Sequence, residues 1–463
     1  METTNKIIQK KIPGPAFKEL LAYGILLQEN HFPFESLQVL QKKYGDIIYC
    51  PWPNRKTVLI CSPEGMRQVL KDKHNSFHKG RNYKHLRPLI GDGLLTSEEE
   101  VWREQRATLG KEFQKDSLIQ YFDTIKNTTK QFISKMELKG PSDLSALFSD
   151  LTFQIIGKIF FHQSFGEDAQ HVSEALRFET ERIQKATKTP LRMPNCIPTK
   201  ENLLGQKHRN VLRNITLKIL NSEEQKSSLM GRMLDSHKQG SIAFSEERMI
   251  DQMMTLMLAG HETTSNTLMW TSYLLNRSPS YLEQIRQEFV ENVSSLEQFK
   301  FEDLPKLKLL RASLYEAMRL YPPIPMIGRS PKGIVNILGY DLPQILDVVN
   351  AIYLLHHDEK NWKDPESFKP ERFINFDHRK DTEFKFIPFG HGPRRCIGDE
   401  LAMMEGLVIF TLFSQLMNWK LVEGFKPIPV SHITLQSQNG MLCDVEKVDS
   451  VKKLKRFGEE LAL

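Results

Sequence analysis

Cysteine is scarce in this 463-residue chain: there are five, an odd number at irregular spacing, which argues against a disulfide framework and for a reducing compartment. No uninterrupted run of about 18 apolar residues occurs, so no segment reads as a membrane span. Met1 to Lys11 is polar and basic, unlike a signal peptide. Gly/Ser-rich linkers, low-complexity tracts and internal repeats are missing too. A prior of about 150 residues per domain allows three domains. Without linkers the expectation is a single domain over residues 1–463, with an N-terminal extension at 1–15 and a basic, solvated tail at 450–463. A net charge of +6, with no basic stripe interleaved with aromatics, excludes a nucleic-acid binder and suits an acidic protein partner. No Gly-x-Gly-x-x-Gly follows a strand pattern and no four-cysteine spacing occurs, so the chain brings no flavin or iron–sulfur centre of its own.

What is present is mostly helical periodicity. Apolar spacing near three and four predicts helices over Glu64–Leu70, Glu98–Phe113, Ser117–Met136, Leu144–Phe161, Glu246–Asn276, Ser280–Asn292 and Lys308–Leu320. Pro322, Pro323 and Pro325 end the last of these. Ile47–Tyr49 and Thr57–Ile60, separated by Pro51, Pro53 and Asn54, read as a hairpin, and short strands are expected near Ile334–Leu338 and the C-terminus. The fold class is mainly α with minor β: a long central helix and small N-terminal and C-terminal sheets.

Cys396 stands out by its company, with Phe389, Gly390, Gly392, Arg394 and Gly398 in one short stretch ahead of the helical spacing Ile397, Leu401, Ala402, Met404, Leu407, Val408. A thiolate that holds a haem iron needs backbone N–H donors, a helix N-terminus and limited water. The glycines permit a tight loop and a close backbone approach. The helix start favours the thiolate, Phe389 covers the sulfur, and Arg394 offers a fork donor to a porphyrin carboxylate. This stretch resembles the cysteine-ligand loop of the cytochrome P450 family, the haem-thiolate monooxygenases, at Phe389, Gly392, Arg394, Cys396 and Gly398.

The longest helical pattern holds Ala259, Gly260, His261, Glu262, Thr263 and Thr264 at its middle, where glycine costs about 1 kcal/mol relative to alanine. A Thr263 hydroxyl bonded to the carbonyl of Ala259 would open a notch beside the iron. The stretch resembles the family's oxygen-activating segment, which implies that Thr263 delivers protons and Glu262 supplies the acid. Glu316 and Arg319, three apart on a helix, together with Arg372 in a proline-bounded loop, resemble the family's buried Glu/Arg/Arg network; their implied role is to hold the cysteine loop. Trp102 and Arg106 share a helix face and, with Arg394 and Arg329, resemble the clamp on the haem propionates. After Gly339–Pro343 the family's usual glycine is replaced by Gln344–Asp347, a departure that bears on the local strand. His356 and His357 are adjacent and cannot both reach one ion, so they read as loop residues.

The resemblance implies haem b with Cys396 as axial thiolate, and a monooxygenase that inserts one atom of O2 into a C–H bond. Its substrate would be a hydrophobic molecule of the fatty-acid, terpenoid or sterol class. The likeness is greatest to soluble fatty-acid hydroxylases, and Leu86, Leu89, Met254, Leu258, Ala259, Ile324 and Met326 are expected to line the cavity. Electrons come from a separate flavodoxin-like, ferredoxin-like or flavoprotein reductase partner, docked near Arg103, Lys111, Lys115 and Arg395; the chain itself is expected to be a monomer. The alternatives are a haem-thiolate peroxygenase or hydroperoxide isomerase, whose members commonly lose the acid–threonine pair kept here, and a non-enzymatic haem sensor. Ile12–Pro15 is similar to the proline-rich hinge of microsomal members. A start at Met1 favours a soluble, cytoplasmic protein, the alternative being an endoplasmic-reticulum protein whose anchor was removed.

Overall fold

The computed structural model describes residues 11–22, 34–52, 55–161, 172, 174–176, 178–183, 197–220, 229–293, 295–431 and 433–448. Most of the N-terminal extension and the basic tail lie outside these residues.

Most predicted helices form close to their expected bounds. Leu144–Phe161 and Lys308–Leu320 match residue for residue, and the central helix runs unbroken over Glu246–Arg277. Ser245 starts the central helix, its hydroxyl accepting from the Arg248 amide at 3.3 Å. The expected helix at Glu64–Leu70 ends early, at Arg67, and continues as one wider π turn over Gln68–Asp72. Lys200–Leu220 and Leu229–Lys238 are helices with no counterpart in the sequence reading, as are the two N-terminal helices Phe17–Ala22 and Phe34–Tyr44. The central helix packs most extensively on Leu144–Phe161 and also on Lys308–Leu320 and Asp399–Leu416. Gly260 permits the closest part of this packing, since a Cβ there would lie 3.0 Å from Ile156 Cδ1.

Leu144–Phe161 is also long and apolar enough to cross a membrane, with a mean hydropathy of 1.3, but 61% of it is buried inside the protein. Its packing on the central helix accounts for that composition.

The sheets are assembled from distant segments. β1 (Ile47–Trp52) and β2 (Arg55–Ile60) form the expected antiparallel hairpin, pairing Tyr49 with Val58. With β3 (Phe77–Lys79), β5 (Ile327–Pro331) and β8 (Asp347–Asn350) they make a sheet of order β1-β2-β8-β5-β3, in which β2 and β8 are parallel. Pro51, read as part of the turn, lies within β1, and β1 can hold it because it is an edge strand. The amide of Tyr49 donates to the carbonyl of Pro13 at 2.7 Å, so the Pro-rich stretch lies along that edge. β4 (Ser142–Asp143), β12 (Leu442–Lys447) and β9 (Met417–Leu421) form the C-terminal sheet, β6 (Val335–Ile337) pairs with β7 (Tyr340–Leu342), and β10 (Pro429–Ser431) pairs with β11 (Leu435–Ser437). Despite the missing glycine, the chain turns after Pro343, whose carbonyl accepts from the Leu346 amide at 3.0 Å, and enters β8.

Candidate active site

Cys396 sits at the end of a loop that turns back on itself. Its amide donates to the Phe389 carbonyl at 2.9 Å, and the Arg395 amide donates to Gly392 at 3.1 Å. Gly392 has φ +73°, and a Cβ there would lie 2.0 Å from the carbonyl oxygen of Leu70. The loop is thus pressed onto the π turn in a way only glycine allows. Gly398 lies against Phe113, and the helix Asp399–Leu416 follows. The thiol is accessible although it lies deep in the protein, so it forms part of the wall of an interior cleft.

The helix start acts in the expected direction, through the Gly398 amide, but burial outweighs it. Burial pushes the Cys396 thiol up to about 11, and the Asp399 carboxylate adds to this; the Gly398 amide, Arg106 and Arg395 oppose it without prevailing. Deprotonation therefore calls for a cation bound at sulfur.

The clamp residues converge, with an unforeseen fourth cation. Arg394 lies 3.9 Å over the ring of Trp102, donates to the Ser97 carbonyl at 2.8 Å and pairs with Glu98. Arg329, on β5, is buried and donates to Gly328. Arg106 reaches the carbonyl of Arg395 at 2.5 Å and so ties its helix to the cysteine loop. Lys79, paired with Arg329 across β3 and β5, is the residue the sequence reading missed. Its ammonium donates to the Leu95 carbonyl at 2.5 Å. Burial and the repulsion of Arg394, Arg329 and Arg106 hold Lys79 well below the usual lysine range, with Glu98 opposing. Arg394 is pushed down to about 10 by burial first, then by Arg329 and Arg106. Lys79, Arg106, Arg329 and Arg394 crowd one another here, with the Glu98 carboxylate opposing at Lys79 and Arg394 and the Asp399 carboxylate at Arg106. A thiol on a cleft wall and a surplus of buried cations fit a metal-centred dianion such as haem.

On the central helix, Ala259 is exposed while Met257, Leu258 and His261 beside it are buried, and Gly260 and Thr263 are half-buried. The Thr263 hydroxyl donates to the Ala259 carbonyl at 2.9 Å, as expected, but the helix stays continuous there and the expected opening does not form. Burial raises the carboxyl of Glu262, while the Thr434 hydroxyl, donating to it at 2.7 Å, lowers it. On the opposite side, Thr264 meets Glu405 of the Asp399–Leu416 helix; burial holds that carboxyl far above the usual range, and its Oε1 has no protein partner. Leu86, Leu89, Met254 and Leu258 are all buried in the large main hydrophobic core. Met326 packs elsewhere, with the apolar residues of β1, β2 and the two N-terminal helices.

The scaffold network is present, with Glu316 and Arg319 fully buried and Arg372 half-buried. Arg319 grips Glu316 through two bonds of 2.8 Å, and Arg372 adds a third at 3.3 Å. Arg319 also donates to the carbonyls of His356, Pro365 and Ser367. His356 is not a loop residue: it ends the short helix Ile352–His356, is buried, and its Nε2 accepts from the Ile387 amide at 3.1 Å. Since the Ile387 carbonyl binds the Gly390 amide, the network reaches the cysteine loop through His356.

A helical fold that presents one thiol to a cationic interior cleft has the layout of a haem-thiolate enzyme. The chain belongs to the cytochrome P450 family, whose model, Cytochrome P450, matches residues 12–443. Among curated proteins it is similar to cyclooctat-9-en-7-ol 5-monooxygenase of Streptomyces melanosporofaciens, 29% identical over 396 residues that cover 83% of this chain and 84% of the relative. It is also similar to the chloroplastic protein LUTEIN DEFICIENT 5 of Arabidopsis thaliana, 27% identical, covering 90% of this chain and 75% of the relative. Cytochrome P450 72A397 of Kalopanax septemlobus is 28% identical, covering 86% and 81%. The chain is a P450 monooxygenase, its cofactor is haem, and its reaction class is oxygen insertion with a hydrophobic substrate, O2 and a redox partner.

Proposed function

We propose that this monooxygenase hydroxylates a hydrophobic substrate of the fatty-acid, terpenoid or sterol class within a single domain. What supports this is the apolar character of the expected lining: Leu86, Leu89, Met254 and Leu258 are buried members of the large hydrophobic core, and Leu258 adjoins the exposed Ala259 on the central helix. Relatives named for cyclooctat-9-en-7-ol and for lutein favour the terpenoid class over the fatty-acid class. Cys396 would hold the haem iron through its sulfur. Lys79, Arg329 and Arg394 hold the propionates, Trp102 supports Arg394, and Arg106 holds the loop. Thiolate-ligated haem supplies O–O cleavage, with one oxygen atom going to the substrate and the other to water at the cost of two electrons and two protons. Thr263 and Glu262 handle protons on the opposite side of the cleft: the threonine hydroxyl, resting on the Ala259 carbonyl, would turn to donate into the cleft, and the glutamate would refill it.

The electron donor docks on the cysteine face. Arg103, Lys111 and Lys115 are exposed, and Lys111 and Lys115 flank Phe113, which touches Gly398. Cys50, Cys61, Cys396 and Cys443 are all unpaired, which supports a reducing, cytoplasmic setting for a monomer; recovery in a microsomal pellet after fractionation would place it on the endoplasmic reticulum instead. Titrating fatty acids, terpenoids and sterols into the haem-loaded protein and following the absorption band tests the substrate class. A response to terpenoids alone supports the favoured class, and no response to any of the three removes the proposal.

A further inference from the structure

We propose that Thr434, just ahead of β11, is a positioning residue that parks the Glu262 carboxyl away from Thr263; this rests on the proton-delivery role proposed for Glu262. The central helix sends its side chains in separate directions here. Thr263 turns to Ala259, Thr264 meets Glu405, and the carbonyl of His261 accepts from Thr152. Glu262 and Asn266, four apart and so on one face, both reach Thr434.

The direction of this short chain is fixed by chemistry. The Nδ2 group of Asn266 can only donate, and it does so to Thr434 Oγ1 at 3.2 Å. The single hydroxyl proton of Thr434 then goes to Glu262 Oε1, at 2.7 Å. Thr434 and Asn266 are both buried, so water does not compete for these bonds. Among the described residues no charged side chain acts on the Glu262 carboxyl; burial and the Thr434 hydroxyl are the only influences on it. That hydroxyl is therefore the one group offsetting burial, and to serve Thr263 the carboxyl must leave it.

Thr434 is itself held in place. The neighbouring Leu435 binds the Pro323 carbonyl through its amide at 2.9 Å and takes the Trp270 indole N–H on its own carbonyl at 3.3 Å. The hairpin is pinned to the central helix on one side and to the proline cluster on the other.

The test compares haem-loaded wild type with Thr434→Val, Thr434→Ser and Glu262→Gln. One readout is the infrared carboxyl band that Glu262→Gln abolishes, followed against pH; the other is product formed per electron consumed. Thr434→Val should raise the titration midpoint of that band by about one pH unit or more, the shift implied by losing one hydrogen bond to a charged group. It should also change product per electron, since the carboxyl is no longer held away from Thr263, and Thr434→Ser should restore both. Thr434→Ala reads the same way if valine disturbs the packing. An unmoved band in Val and Ala overturns the role of Thr434 whatever Glu262 does. Unchanged product per electron in Glu262→Gln overturns instead the proton-delivery reading on which the proposal rests.

Discussion

Cys396 carries the largest single-residue consequence. The protein surroundings raise its thiol, so the thiolate depends on the bound cation, and a serine in its place keeps the shape while losing the soft ligand. Cys396→Ser is expected to abolish the thiolate-type absorption band of the reduced, carbon monoxide-bound protein, along with turnover. Thr263→Ala removes a hydroxyl aimed along the cleft wall. Product formation should fall by about 10²-fold, the scale of one general acid, while reductant consumption persists; equal losses of both would remove Thr263 from the proton path. These residues were legible because the constraint on each is local: glycines and an arginine at fixed spacing round a cysteine, or a glycine and two threonines where a helix disfavours them. Lys79 and Thr434 were not legible. Each lies on or beside a three-residue strand with no pattern of its own, and acquires its role only when β5 or the central helix is brought alongside.

Among elements, helices buried on a clear face were legible to within a residue or two. Lys308–Leu320 has Glu316 and Arg319 on its buried side and three prolines just beyond its end. Lys200–Leu220 was missed because its sequence, KENLLGQKHRNVLRNITLKIL, alternates charge with single apolar residues. The Glu316 network ties Lys308–Leu320 to the Arg372 loop, and Glu316→Ala leaves Arg319 buried without its counter-ion. A loss of roughly 3–5 kcal/mol is expected in urea unfolding, together with easier loss of haem because the path through His356 to Ile387 slackens. Where Asp399–Leu416 meets the central helix, Glu405 is held protonated far above its ordinary range by burial. Folded protein then binds a proton that unfolded chain has released, so stability falls as pH rises from the ordinary carboxylate range toward the raised value. Glu405→Gln, neutral throughout, should flatten that fall; urea midpoints measured across pH for both proteins check it.

Across the whole molecule, the sequence showed the class of fold but not the partners of its strands. β2 and β8 are about 290 residues apart and pair in parallel, a register that no local pattern encodes. The face that brings Arg103, Lys111 and Lys115 beside the cysteine loop is likewise a product of assembly. Raising ionic strength from about 0.05 M to about 0.5 M should slow electron transfer from an acidic donor well beyond any change in substrate binding, as expected for exposed charges screened within a Debye length. Stopped-flow reduction at several salt concentrations measures it, and an unchanged rate would move the donor to another face.

The crowding of Lys79, Arg106, Arg329 and Arg394 round Glu98 has a consequence for the life of the polypeptide. Mutual repulsion at the centre of the fold works against closing the chain until a dianion shares the space, so haem is a component of folding as well as of catalysis. Limited proteolysis of haem-free and haem-loaded protein should show the loaded form surviving many times longer, with Lys79→Met narrowing the gap by relieving the haem-free form.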